Sequence, residues 1–150
     1  MIREYQSKDL DQIMQIWLEA NEQAHPFINP EFFRQNYDLV KTLLPLSTIY
    51  VQDLNGVKGF IGLTDNYIAG LFVAKDSQHQ GIGKALLNKA QQLHPVLVTN
   101  VYKQNENAVK FYQRNGFEII SESLNEETHQ PEFTMQSNSQ RSIRIGKCAL

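Results

Sequence analysis

Apolar and polar positions repeat with two different periods along this chain, and the changes of period mark its elements. Ile2 to Tyr5 alternates apolar and charged side chains and predicts a short first strand. Leu10, Ile13, Met14, Trp17 and Ala20 then recur at helical spacing, which predicts an amphipathic helix of about three turns with Trp17 in the core. Ser7 and Asp9 are good N-caps for it, and Asp9 with Gln12 resembles a capping box. Asn21 to Asn29 reads as a loop. Asn29-Pro30 next supplies an N-cap followed by proline at the first helical position. The helix so opened carries Phe32, Phe33, Tyr37, Val40 and Leu44 and stops before Pro45. Its aromatics suit either a wall facing a substrate or plain packing onto a sheet.

From Thr48 the period shortens to that of strands. Thr48 to Gln52 and Val57 to Leu63 flank Asn55-Gly56, a strong hairpin signal because both central residues of a type I′ turn need positive φ. Gly59 and Gly62 suggest a bulge or a close backbone approach, and Gly70 is a bulge candidate in the next strand, Tyr67 to Val73. Helical spacing returns at Ile82, Ala85, Leu86, Ala90 and Leu93. A Val-rich strand, Val96 to Tyr102, reads as central. A short helix, Asn105 to Asn115, ends on Gly116 as its C′ residue. Phe117 to Ser123 and Pro131 to Gln136 are the last predicted strands. The tail from Ser137 has little periodicity and is expected to be a loosely attached or disordered arm, with a swapped strand using Ile143 and Ile145 as the alternative.

The candidate chemistry sits where the third strand of the meander feeds the helix opened at Gly81. A strand running through a glycine-containing turn into a helix points bare backbone N–H groups forward, and the helix dipole favours an anion there. A nucleotide-hydrolysing P-loop would need Ser or Thr after Gly83-Lys84, but Ala85 stands there. A dinucleotide fingerprint lacks its third glycine, because Leu86 occupies that place. Both readings are disfavoured.

Gln78-His79-Gln80-Gly81-Ile82-Gly83 does match Q/R-x-x-G-x-G/A, and Asn105 to Phe117 carries N-x-x-A-x-x-F-Y-x-x-x-G-F. With these two motifs in this order the chain resembles the GNAT acetyltransferases over residues 1 to about 137. Ile16-Trp17, Ala24 to Ile28, Gly59 to Leu63 and Ile68 to Val73 look like the small bacterial YiaC/YjaB type. The resemblance implies an α/β (α+β) GNAT fold: a central mixed, mainly antiparallel sheet, splayed between the fourth and fifth strands and flanked by about four helices. It implies one acetyltransferase domain, 1–137, followed by an atypical tail, 138–150.

It also implies the cosubstrate acetyl-CoA. The pyrophosphate would lie on backbone amides from Gln78 through His79, Gln80, Gly81, Ile82 and Gly83 to Lys84. The pantetheine arm would add to the strand edge Leu71-Phe72-Val73, with an N–H near Phe72 or Val73 polarising the thioester carbonyl. Asn105, Ala108 and Phe111 complete the cofactor set. Tyr112 aligns with the tyrosine that protonates the departing sulfur. The acceptor would be a primary amine, with a protein lysine suggested by the YiaC type and a polyamine, amino sugar or antibiotic amine as alternatives. For the base the candidates are His25, whose ordinary pKa suits the task, Asp65, and a water chain. A CoA-binding module without turnover is the competing class, and the retained Tyr112 argues against it.

Composition narrows the field further. The 150 residues suit one domain, 41% hydrophobic and 20% charged. A net charge of −2 gives no electrostatic case for nucleic acid. No apolar run is long enough for a membrane span, and the opening residues lack the layout of a signal peptide. The single Cys148 excludes an intramolecular disulfide, so a cytoplasmic monomer or homodimer is expected. His25, His79, His94 and His129 show no metal-ligand spacing, and no metal is expected.

Overall fold

The computed structural model describes residues 1–138, which divide into two units, Met1–Asn88 and Lys89 onward. The expectations for the tail, apart from its first residues, fall outside the described residues.

The first unit is an antiparallel meander with helices. It comprises β1 (Ile2–Glu4), α1 (Leu10–Ala24), α2 (Pro30–Leu43), β2 (Thr48–Asp53), β3 (Val57–Thr64), β4 (Tyr67–Val73) and the start of α3 (Ile82–Leu93). Its strands pair in chain order, β1 with β2, β2 with β3 and β3 with β4, all antiparallel. Phe60, Ile61, Leu63 and Ile68 of β3 and β4 are fully buried, as are Ile13 and Met14 of α1. Alternation along β3 sends Phe60 and Gly62 to one face and Gly59, Ile61 and Leu63 to the other.

On the second of these faces Gly59 permits a close approach. A Cβ there would stand 3.0 Å from Ile82 Cγ2 and 3.0 Å from the carbonyl oxygen of Phe72. The first turn of α3 therefore packs straight onto the sheet. On β4 the register slips by one residue: Gly62 pairs with Gly70 while Leu63 pairs with Ile68, so Ala69 is the extra residue of a bulge beside Gly70.

The second unit holds the end of α3, β5 (Val96–Tyr102), α4 (Glu106–Arg114), β6 (Glu118–Leu124) and β7 (Pro131–Asn138). β7 pairs antiparallel with both β5 and β6. It runs two residues beyond the predicted end at Gln136, because Leu97 and Val96 of β5 still offer partners to Ser137 and Asn138.

Several local expectations need correction. α1 does not stop near Ala20 but continues to Ala24, and it ends where Pro26 bars His25 from helical dihedrals. Asp9 and Gln12 form no capping box. The Asp9 carboxylate instead takes the Arg3 guanidinium with two bonds of 2.9 Å and the Gln6 N–H at 2.8 Å. The bonds from Arg3 hold that carboxyl below the usual carboxylate range, although burial pulls the other way. Gln12 Oε1 accepts the Val57 N–H at 2.8 Å and so bolts α1 to the start of β3. Asn55 and Gly56 both have positive φ, but the hairpin loop has three residues, Leu54 to Gly56. Asp53 sets it, accepting the Gly56 N–H at 3.1 Å.

The close packing at Gly59 yields a stability prediction. Gly59→Ala should lower unfolding free energy by about 1–3 kcal/mol in urea titration, because both nearest atoms belong to packed structure. Gly62→Ala, whose nearest contact would be 3.7 Å away, should stay close to the parent. Equal effects at the two positions would contradict the close-approach argument.

Candidate active site

The loop that follows β4 is short and defined by backbone conformation. Lys75–Ser77 form one turn of 3-10 helix, and Gln78 is extended. His79 and Gly81 then take left-handed φ values of +64° and +80°. The Gly81 turn is one a side chain rarely tolerates, and nothing lies within 4 Å of where its Cβ would be. Space in front of the loop is therefore open. The bond from Ala85 N–H to Gly81 O is 3.0 Å long. The N–H groups of Ile82, Gly83 and Lys84 precede it, where a helix has no acceptor of its own to offer. Gln80, Gly81 and Lys84 are exposed, whereas Ile82 is buried against the sheet and anchors the turn.

Side chains hold the loop's first residue. Gln78 Nε2 donates to Gln23 Oε1 at 3.1 Å and to the Val73 carbonyl at 3.4 Å, tying the end of α1 to the end of β4. Leu71, Phe72 and Val73 pair with Ile61, Phe60 and Gly59 of β3, and all three are half-buried. Sequence reasoning misses Gln23, and it misses the left-handed His79 as well. A non-glycine residue in that region is uncommon, although histidine is among the types enriched there.

The second motif lies in the other unit and is described by itself. Asn105 caps α4, its Oδ1 accepting the Ala108 N–H at 3.3 Å. Tyr112 is buried, with its ring edge-on to Phe111 at 5.3 Å and to Phe117 at 5.0 Å. Phe117 is fixed in turn by its N–H, which donates to the Tyr112 carbonyl at 3.0 Å across the left-handed Gly116.

His25 has an environment unlike that of a proton acceptor. It is 9% exposed, stacked on Phe33 at 6.1 Å and edge-on to Phe27 at 5.6 Å. Asn21 donates through Nδ2 to the Trp17 carbonyl at 2.8 Å, which leaves its Oδ1 to accept from His25 Nδ1 at 3.1 Å. Burial pushes the imidazole pKa down to about 4. The ring is therefore neutral at pH 7, with Nδ1 engaged by Asn21. Asp65 sits exposed in the turn between β3 and β4, with φ of +52°.

Trp17 packs against the core cluster around Ile13, Ile16 and Phe60, as expected, but at its margin. It is only half-buried, packs edge-on to Phe33 and Tyr37, and lines a cavity of about 270 Å³ beside Gly62 and Gly70. Among the described residues no group of three or more histidine, cysteine or acidic side chains is arranged to hold a metal. No helix among them is long and apolar enough to cross a membrane.

A family model described as an acetyltransferase (GNAT) domain matches residues 45–119. Peptidyl-lysine N-acetyltransferase YiaC of Escherichia coli K12 is 37% identical over 138 residues, covering 90% of this chain and 94% of YiaC. This chain belongs to the GNAT acetyltransferase family. Within that family the Escherichia coli peptidyl-lysine N-acetyltransferase YjaB is 31% identical over 124 residues, 81% of this chain and 84% of YjaB. The solution structure of apo YjaB superposes with a TM-score of 0.81 at 28% identity, covering 91% of this chain and 95% of that one. The α/β fold expected of a GNAT protein is the fold this chain has, and the chain is an acyltransferase.

The buried histidine gives a pH prediction. Its pKa is lowered from 6.5 to about 4 on folding, so below pH 6.5 the unfolded chain takes up a proton that the folded one refuses. Stability should fall as pH drops from about 6.5 to about 4, by up to about 3 kcal/mol, and no further on this group's account below that. Thermal midpoints across that window check it: His25→Phe should flatten the decline, and an unchanged slope would remove His25 as its source.

Proposed function

We propose that this protein transfers the acetyl group of acetyl-CoA to the side-chain amine of a lysine in a polypeptide. One observation carries the cosubstrate: the left-handed Gly81 turn opens onto free space with the N–H groups of Ile82, Gly83 and Lys84 ahead of the helix ladder. That is an anion cradle whose chemistry suits a pyrophosphate. The Salmonella acetyltransferase yncA, with its cofactor acetyl-CoA, shares the fold at a TM-score of 0.64. The lysine acceptor is supported by the peptidyl-lysine activity for which YiaC and YjaB are named.

In this reading Gln78 fixes the start of the cradle, and the amides from Gln80 to Lys84 receive the pyrophosphate. The edge of β4 at Leu71-Phe72-Val73 takes the pantetheine amides as a further strand would, and an N–H near Phe72 or Val73 polarises the thioester carbonyl. The neutral amine attacks the acetyl carbon and the carbon–sulfur bond breaks. Tyr112 gives its hydroxyl proton to the departing sulfur, the attacking nitrogen loses its proton to water, and the Tyr112 phenolate regains a proton from solvent. Asn105, which caps α4, completes the cofactor contacts of this reading with Ala108 and Phe111. His25, kept neutral in its aromatic box, orders the end of α1 instead of accepting that proton.

Thiol release from acetyl-CoA over a panel of lysine peptides, polyamines and amino sugars tests the function. Lysine peptides should be the best acceptors; turnover only on small amines would overturn the acceptor class, and none on any amine would overturn the enzyme reading. Tyr112→Phe should lower kcat about 10²-fold, the lower end for acid catalysis because a thiolate leaves readily, with acetyl-CoA affinity in calorimetry nearly unchanged. A kcat within about twofold of the parent would return Tyr112 to a packing role.

A further inference from the structure

Two concave regions lie within the first unit. The larger, about 670 Å³, runs along α1 past Gln12, Glu19, Lys58 and Asp76, and its charges of both signs converge on no single chemistry. The smaller, about 270 Å³, is more specific: none of the described residues lining it bears a charge.

Its floor is a pair of glycines facing each other across two strands. Gly62 of β3 and Gly70 of β4 are register partners; the Phe72 ring folds over Gly70, while Gly62 has open space up to Ser47 and Leu44, whose nearest atoms would be 3.7 and 3.9 Å from an added Cβ. Its walls are the rings of Trp17, Phe60 and Phe72, the last two 5.5 Å apart. Val40 and Leu43 of α2 close the far side, and Leu43, 51% exposed, marks the mouth. Across the bulge at Ala69, Gly70 shares a face with Gly62, while Ile68 keeps to the face of Leu63.

We propose that this cavity takes an uncharged apolar side chain of the acceptor polypeptide, one flanking the lysine that is acetylated. The inference rests on the lysine reading above and adds a sequence preference to it. Position supports it, since Gly70 and Phe72 of the floor and wall belong to the strand whose edge is assigned to the thioester arm. Charge supports it too. An ammonium or carboxylate entering this space would lose water with no ionic partner among the lining residues, a cost that aromatic faces offset only in part. A leucine- or phenylalanine-sized group meets mostly apolar surface, Ser47 and Thr64 being the polar exceptions, and the volume exceeds what the thin methylene stem of the reacting lysine fills.

The test is a set of single-lysine peptides that differ at the flanking positions, leucine or phenylalanine against glycine or glutamate. The expected result for the parent protein is a kcat/KM about 10- to 100-fold higher for the apolar flank. Gly62→Val fills the floor at a position where an added Cβ would have 3.7 Å of room, and should erase that preference while acetyl-CoA affinity in calorimetry stays unchanged. Val40→Phe fills the same space from α2, so the test survives if either variant fails to fold. Equal kcat/KM for all flanks, or a preference intact in both filled variants, would overturn the inference and leave the lysine reading standing. An equal loss on every peptide in the filled variants would assign the cavity to the lysine stem and overturn it likewise. Acetylation of small amines with no peptide accepted would overturn the lysine reading and this inference together.

Discussion

The absence of a side chain at Gly59 governs the architecture of the first unit. It brings the first turn of α3 against β3, to where Ile82 Cγ2 stands 3.0 Å from the place a Cβ would take. A helix held at that distance has its N-terminus fixed in height and direction. The loop between β4 and α3 is eight residues long, Ala74 to Gly81, and includes the 3-10 turn Lys75–Ser77. Within it His79 and Gly81 take left-handed conformations. In a folded loop such strained dihedrals persist only where the surroundings over-determine them. Here Gln78, bonded to Gln23 and to the Val73 carbonyl, supplies the constraint on one side and buried Ile82 on the other.

What is legible in the sequence is what a few neighbouring residues decide by themselves. Asn29 with Pro30, Asn105 before α4, Gly116 after it and the positive φ at Asn55 and Gly56 are local chemistry, and each stands where its residue type placed it. The strand Val96–Tyr102 coincides with its predicted bounds for the same reason. The ties across long separations are not legible. Gln23 with Gln78, Gln12 with Val57 and Arg3 with Asp53 join residues 45 to 55 positions apart, and glutamine or arginine on a helix or strand looks the same whether it is solvated or bonded. The end of α1 is a partial exception: Trp17, Asn21 and His25 lie four residues apart, on one helical face, and that spacing could have carried the helix past Ala20.

The aromatic region at the end of α1 has an electrostatic character of its own. His25 is boxed in by Phe27 and Phe33 and kept neutral, and Phe33 also meets the edge of Trp17 at 6.1 Å. A continuous aromatic layer thus runs from the end of α1 to the cavity over Gly62 and Gly70. Such a layer repels water more effectively than it moves protons. In the proposed reaction this layer would serve to hold apolar parts of the acceptor, and Tyr112 is the one proposed proton donor.

The bulge at Ala69 has a consequence for how this protein can vary. Ala69 is the one residue by which β4 exceeds a regular ladder: without it, Ile68 opposite Leu63 and Gly70 opposite Gly62 would follow each other without interruption. Loss of this one codon would therefore leave Ile68 on the face of Leu63 and Gly70 and Phe72 on the face of Phe60, and would remove only the local bend and twist that the extra residue introduces. Among descendants of this chain, a change of one residue in length at this point should alter the course of β4 while sparing the division of its side chains between the two faces.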